Sequence, residues 1–267
     1  MLKDITLGQF FPGDTPVHRL DPRTKLILVV VYIVTLFSAK WFLTYGLVFL
    51  ALVGVIALSG IRPGVILRSL KPLLFIIILT GVLNLFYTQG TPLVSFWIFT
   101  ITKEGIFSAI FMVLRISMLI AGTFMLTYTT SPIALTDGLE RLLSPLKKIK
   151  VPVQELAMMM CIALRFIPTL IEETDKIMNA QKARGADFET GSLFSRAKAL
   201  IPILVPLFIS AFRRADELAV AMECRCYHGG EGRTRMKQLH YGRADVVALA
   251  GGLVLMAVVL VLGRLGW

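Results

Sequence analysis

Residues 244–263 read ADVVALAGGLVLMAVVLVLG. A run of this length and composition crosses a bilayer as a helix, because a hydrocarbon core ~30 Å thick takes about 20 residues. A spanning segment must also satisfy its own backbone donors and acceptors, which a helix does. This stretch therefore predicts an integral membrane protein of helical type. The whole chain agrees: 267 residues, 56% hydrophobic and only 17% charged, against roughly a quarter charged in soluble domains.

Four further apolar runs precede it, at about 24–38 (TKLILVVVYIVTLFS), 41–60, 72–87 and 105–128. The first is short for a bilayer, and Lys25 at its start is placed to snorkel. Trp41, Phe42 and Tyr45 open the second, where an interfacial aromatic belt is expected. Arg115 interrupts the fourth. A lone intramembrane Arg needs a partner, and backbone carbonyls inside the bundle or Glu104 are the expected ones. The segment 88–104 carries Pro92, Phe96, Trp97 and Phe99 with little charge, and reads as a loop dipping into the interface. Residues 1–23 hold Pro12, Gly13, Pro16 and Pro22 and lack the apolar core of a secretory signal, so they read as an irregular surface segment.

Residues 129–243 differ in character, alternating apolar and charged positions and holding most of the acids. Pro132 opens a short amphipathic helix. A second helix is expected from Pro152 to Gly185, interrupted at Pro168, and a third from about Leu193 to Tyr227, closed by Gly229-Gly230. Their apolar parts, 156–171 and 199–212, read as interfacial or buried. The expected fold is an all-α integral membrane protein with about five transmembrane helices and a cytoplasmic-side coupling domain of about three helices. Its parts are 1–128 (entry segment and four spans), 129–243 (inserted domain) and 244–267 (last span). Lys3, Arg19, Arg23, Arg62, Arg68, Lys71 and the inserted domain fall on one side. Lys40, Lys103 and Arg264 fall on the other. The positive-inside rule then puts the N-terminus and inserted domain in the cytosol and Trp267 outside, which explains the net charge of +11 without nucleic acid. Cys161, Cys224 and Cys226 lie in segments placed in the reducing cytosol and make no disulfide framework.

A polar element occurs twice in the inserted domain: ETDKIMNAQKARGADF (173–188) and RADELAVAMECRCYH (214–228). With Asp175 on Asp216, Ile177 falls on Leu218, Ala180 on Ala221 and Arg184 on Arg225. A cation near a helix C-terminus is favoured by the helix dipole, which accounts for one such Arg but not for two copies at matched spacing. Each Arg lies between small residues: Ala183 and Gly185 in one copy, Cys224 and Cys226 in the other. Both read as accessible contact points for another protein.

The chain resembles the EcfT family, the transmembrane coupling subunits of energy-coupling-factor importers. FPGDTPVHRLDPRTKL (11–26), SPIALTDGLERLLSPLKKIKVPVQELAMMMCIALRFIPTL (131–170) and AQKARGADF (180–188) carry the likeness. The second signature departs from Ala-Arg-Gly and reads Cys224-Arg225-Cys226, although Gly tolerates left-handed backbone better than Cys. The resemblance implies a non-catalytic subunit in a bacterial cell membrane that moves vitamins or other micronutrients. It implies two cytoplasmic ATP-binding-cassette ATPases, EcfA-like and EcfA′-like, anchored by Arg184 and Arg225. It also implies a substrate-binding membrane subunit, the S-component, with Met158, Met159, Leu204 and Phe208 as candidate contacts. No cofactor is expected on this chain; ATP and magnesium belong to the partner ATPases.

The other readings rank lower. A cobalt or nickel importer would use an equivalent subunit. A lipid or isoprenoid enzyme would need acid clusters, and Asp137, Glu140, Glu172 and Glu173 form no paired catalytic set. Cys224, Cys226 and His228 lack zinc spacing, and no phosphate-cradling G-x-x-x-x-G-K-[ST] occurs. Met158, Met159 and Met160 are consecutive, so at least one must pack inward.

Overall fold

The protein is described by a computed structural model covering residues 10–39, 41–88, 91–96, 99–188, 192–229 and 238–265. Lys3, Lys40, Trp97, Gly230 and Trp267, on which parts of the charge, aromatic and turn readings rest, lie outside the described residues. The helices are α1 (Pro16–Arg19), α2 (Pro22–Ser38), α3 (Phe42–Ser59), α4 (Pro63–Leu70), α5 (Leu74–Tyr87), α6 (Lys103–Thr129), α7 (Pro132–Leu143), α8 (Val153–Ala183), α9 (Leu193–Cys224) and α10 (Arg243–Leu265). Two strands, β1 (Pro92–Phe96) and β2 (Phe99–Thr102), pair antiparallel.

This hairpin replaces the loop expected at 88–104. Both segments are rich in β-branched and aromatic residues, which suit a strand. Its neck is tied on both sides. Thr102 Oγ1 donates to the Thr88 carbonyl at 2.9 Å, and the Glu104 carboxylate accepts from the Thr91 N–H at 2.9 Å. Glu104 is thus engaged at the neck and is not the partner of Arg115.

Among the described residues five helices are, by length and composition, long and apolar enough to cross a membrane: Phe42–Ser59, Pro63–Tyr87, Lys103–Thr129, Val153–Ala183 and Arg243–Arg264. The number equals the expected one but the set differs. α2, at 17 residues, is at the short end of what a bilayer accepts. α8 reaches 31 residues because it runs unbroken through Pro168, against the expected interruption. A helix interior proline removes one hydrogen bond to the carbonyl four residues earlier. Pro168 is exposed, so its ring crowds no packed neighbour.

The chain folds as two compact units, Gly8–Gly138 with Leu239–Trp267 and Leu139–Gln238. The larger unit has a core of Leu36, Tyr45, Val48, Leu52, Met118, Met125, Tyr128 and Val259. Small residues let its helices approach closely, as membrane helices require where lipid removes the hydrophobic drive. A methyl group on Gly81 would stand 2.9 Å from Val113 of α6, and one on Gly252 of α10 would stand 2.6 Å from Leu28 of α2. Gly122 of α6 lies under the Tyr32 ring of α2. The Tyr32 hydroxyl donates to the Met118 carbonyl at 2.9 Å, one turn before Gly122.

Arg115 is held by groups that were only partly expected. Its Nε donates to the Tyr45 hydroxyl at 2.7 Å and its Nη2 to the Ala39 carbonyl at 3.3 Å. The guanidinium also lies 5.7 Å from the ring centroids of both Phe37 and Tyr45. Tyr45 is therefore not part of an interfacial belt. It is 3% exposed and stacks on Phe111, whereas Trp41 and Phe42 are exposed. A tyrosine can satisfy a half-buried guanidinium with both its hydroxyl and its π face, so Arg115 closes the α2–α3 turn onto α6 through Tyr45 and the Ala39 carbonyl.

In the smaller unit α8 and α9 pack as an antiparallel pair. Gln181 near the end of α8 meets Pro202 near the start of α9, and Glu173 meets Ser210 and Arg214. Ile162 and Phe166, earlier in α8, line one groove with Leu218 and Met222, later in α9.

Candidate functional site

The two ends of this helical pair carry the repeated element, and both end by the same hydrogen-bond pattern. After α8, the Gly185 N–H donates to the Lys182 carbonyl and the Ala186 N–H to the Gln181 carbonyl, both at 3.0 Å. After α9, the Cys226 N–H donates to the Glu223 carbonyl at 2.8 Å and the Tyr227 N–H to the Met222 carbonyl at 3.0 Å. These are the two bonds of a Schellman ending, which satisfies carbonyls that the last turn leaves without partners. The residue that turns the chain must be left-handed, and Gly185 and Cys226 are so, with φ of 88° and 55°. Arg184 and Arg225 hold the position just before each turn, and both are exposed. The departure from Gly to Cys in the second copy changes the residue and not the backbone.

The surroundings of each Arg are alike. Ala180 and Ala183 on one helix, and Ala221 and Cys224 on the other, are all exposed. Residues four apart share a helix face, so the turn before each Arg presents small side chains beside a long cation. Such a surface allows close backbone approach and leaves the guanidinium fork free to meet a carboxylate bidentately.

A left-handed Cys costs about 1 kcal/mol relative to Gly, since only Gly takes that backbone without a Cβ penalty. Cys226→Gly should therefore raise the stability of the purified chain by up to about 1 kcal/mol. A rise in thermal midpoint with unchanged binding of partners is the expected pair of results. A drop in binding would show that the Cys226 thiol itself makes a contact.

The antiparallel arrangement sets where the two arginines point. α8 and α9 cross at a clasp in which the Glu173 carboxylate accepts from the Ser210 hydroxyl and, at 2.8 Å, from Arg214 Nη2. Arg184 lies beyond the clasp in one direction and Arg225 in the other, on the order of 35 Å apart along the helices at 1.5 Å per residue. Further along, Gln181 Nε2 donates to the Pro202 carbonyl at 3.4 Å. That carbonyl is free because Pro206, four residues on, has no N–H to give it. Neither contact was foreseen from the residues alone. Glu173 was visible only as an acid without a catalytic partner, and the signal for the clasp was its place in a largely apolar helix facing a basic stretch of α9.

The candidate contacts for a membrane partner are spread along the pair. Met158 is half-buried and Met159 exposed, at the end where α9 finishes. Leu204 and Phe208 are exposed at the opposite end, near Gln181. Between them, at the α9 end, an apolar groove of about 440 Å³ is lined by residues including Phe166, Leu218, Met222 and Tyr227. Among the described residues no group of three or more His, Cys, Asp or Glu is arranged to hold a metal. His228 Nδ1 donates to the Cys226 carbonyl at 2.8 Å.

Comparison with known proteins gives a consistent likeness. Residues 13–236 match the family model CbiQ, described as cobalt transport protein. The chain is 54% identical over 267 residues to the energy-coupling factor transporter transmembrane protein EcfT of Acidaminococcus fermentans, covering 100% of this chain and 98% of that one. It is 54% identical over 267 residues to the EcfT of Thermosediminibacter oceani, with both chains fully covered. It is 47% identical over 258 residues to the EcfT of Bacillus subtilis, covering 96% of this chain and 97% of that one.

Proposed function

The chain belongs to the CbiQ family, in its EcfT group, as a transmembrane subunit of an energy-coupling-factor transporter, and on that premise we propose that it couples ATP hydrolysis in two partner ATPases to movement of a substrate-binding membrane subunit. The observation that carries this reading is the pair of matched helix ends, each presenting one exposed Arg. Arg184 anchors one ATPase and Arg225 the other. The flanking Ala183 and Gly185, and Cys224 and Cys226, admit the partner's backbone. Because α8 and α9 cross at the Glu173–Arg214 clasp, closure of the two ATPases would move the two ends relative to each other and turn the helices about that point. The exposed apolar faces of α8 and α9, with Met158, Met159, Leu204 and Phe208, receive the substrate-binding subunit and pass the motion on. This chain supplies no catalytic group; ATP and magnesium act in the partners. We take α2, and not α8, as the fifth span, which puts the N-terminus and the Leu139–Gln238 unit on the cytosolic side of a bacterial cell membrane and Trp267 outside; the substrate is a vitamin or other micronutrient. The family model's description also covers cobalt transport, but the relatives at about half identity carry the EcfT name.

The test is co-expression of the tagged chain with the ATP-binding-cassette ATPases of its own genome. Two different ATPases should co-purify with it. Recovery of the chain alone, or with a single ATPase in two copies, would defeat the two-anchor reading. A reporter fused after Trp267 should be active only outside the cytosol.

A further inference from the structure

Among the described residues the chain passes between the two units at two places, and one short turn of the larger unit holds the residue next to each. The chain leaves the larger unit at Gly138 and re-enters it at Leu239. Gly138 of α7 packs on the turn so closely that a methyl group there would stand 3.0 Å from Pro22 Cβ and 3.3 Å from the Arg23 nitrogen. Arg23 Nη2 donates to the Leu239 carbonyl at 2.9 Å, and its guanidinium lies 4.9 Å from the Tyr241 ring centroid. The outgoing and returning chains are therefore fastened to neighbouring residues.

The same turn is locked to three helices of the larger unit. Asp21 is the N-cap of α2, and its Oδ1 accepts from the Arg23 N–H at 2.9 Å. The Asp245 carboxylate joins this cap to that of α10. Its Oδ2 accepts from the Gly242 N–H and its Oδ1 from the Asp21 N–H, both at 2.8 Å. The first bond is the returning half of a capping box, and the second is extra to it. Lys25 Nζ donates to the carbonyl of Thr129, the last residue of α6, at 2.8 Å, and to that of His18 at 3.2 Å.

The arrangement is expensive for a cap. Asp21, Lys25 and Asp245 are all buried, and removing charges from water costs several kcal/mol per ion before pairing returns it. Asp21 Oδ2, Thr24 Oγ1 and Thr130 Oγ1 are buried without a hydrogen-bond partner. Ser or Asn would cap α2 at lower cost. What the charged version adds is a set of simultaneous links between chain segments far apart in sequence.

We propose that the Asp21–Lys25 turn, with Asp245, is a positioning element of energy coupling: within the larger unit it fastens the residues at which the chain leaves and re-enters, Gly138 and Leu239, to the cytosolic ends of α2, α6 and α10, so that a pull arriving through those residues reaches the three helices together. The inference rests on the coupling role proposed above. Its residues touch neither ATP nor substrate. Loosening the clasp leaves the ATPases bound and working but lets the motion dissipate before it reaches the spans.

The experiment uses the full complex, with both ATPases and a riboflavin-binding membrane subunit from the same genome, and tritiated riboflavin as the probe. Arg23→Ala removes the hold on Leu239. Asp245→Asn removes charge while keeping one acceptor oxygen. Gly138→Ala pushes the outgoing helix off the turn by a few tenths of an ångström, in a residue type that favours the helix itself. Each variant is expected to assemble with both ATPases and hydrolyse ATP at near the wild-type rate per complex. Uptake per ATP hydrolysed should fall by about five- to tenfold, the lower end of ordinary coupling energies. Unchanged uptake per ATP in the variants that assemble would overturn the proposal. So would failure of all three to assemble, which would make the turn a folding requirement alone. A wild-type chain that recruits no ATPase would instead defeat the coupling reading, before any variant is compared.

Discussion

If Arg184 and Arg225 are the anchors proposed above, replacing both by alanine is expected to strip the two ATPases from the complex and abolish uptake. Both side chains are exposed at the C-terminal turns of α8 and α9, so the substitutions remove no buried contact. Surface changes of this kind usually shift stability by less than about 0.5 kcal/mol. A hydrogen bond to a charged group contributes about 1.5–3 kcal/mol net, which is roughly a ten- to hundredfold loss of affinity for each anchor. Each single variant should therefore lose one ATPase preferentially, and the double variant both. Arg184→Lys should fall between, because an ammonium keeps the charge but not the planar fork. Co-purification of each ATPase, counted against the amount of chain recovered, reads the effect. Wild-type levels of both in the double variant would sink the anchor role. Loss accompanied by a lowered thermal midpoint would mean that the arginines support the helix ends instead.

The second large effect is expected at Gly122→Ala. The Tyr32 ring lies on the Gly122 backbone, and its hydroxyl is tied to the Met118 carbonyl at 2.9 Å. The ring cannot swing aside without giving up that bond. A methyl group there must part α2 from α6 or break the bond, at a cost of about 1–3 kcal/mol, the usual penalty for overpacking. The helix would otherwise welcome alanine over glycine by about 1 kcal/mol, so the sign of the result separates packing from propensity. A fall in thermal midpoint in detergent is expected, and Gly122→Val should fall further. Tyr32→Ala in the same chain should give back part of the loss, because residues in contact do not act additively. A rise in stability for Gly122→Ala would show that the two helices are not packed at this point.

Several parts of the site could be read from residues in order. The register of the two copies, Asp175 to Arg184 and Asp216 to Arg225, is a local property of helical spacing, and it placed both arginines at helix ends. The type of ending was harder. Gly185 announces a left-handed turn, whereas Cys226 does not, and the Schellman bonds from Cys226 and Tyr227 to α9 prevail over the side chain's preference. Tyr45 shows a different failure. Its neighbours Trp41 and Phe42 are exposed, and nothing in the local run distinguishes it, because its partner Arg115 is 70 residues away. The hairpin at β1 and β2 departs from the expected loop because runs of five and four residues of mixed aromatic and β-branched type suit either a strand pair or an interfacial loop until Thr91, Thr102 and Glu104 close its neck.

By itself the sequence determined the medium, the helical class, the number of long apolar helices and the two repeated arginines. All of these follow from composition and short-range periodicity, which act over one or a few helical turns. Only the tertiary structure decided which helices reach spanning length, that α8 continues through Pro168, and that α8 and α9 run antiparallel about Glu173 and Arg214. It alone showed that Asp21 and Asp245, 224 residues apart, share one cap. The physical reason is common to these cases. A proline's lost bond, a half-buried guanidinium or a charged cap has many possible partners along the chain, and the close packing of the helices selects one.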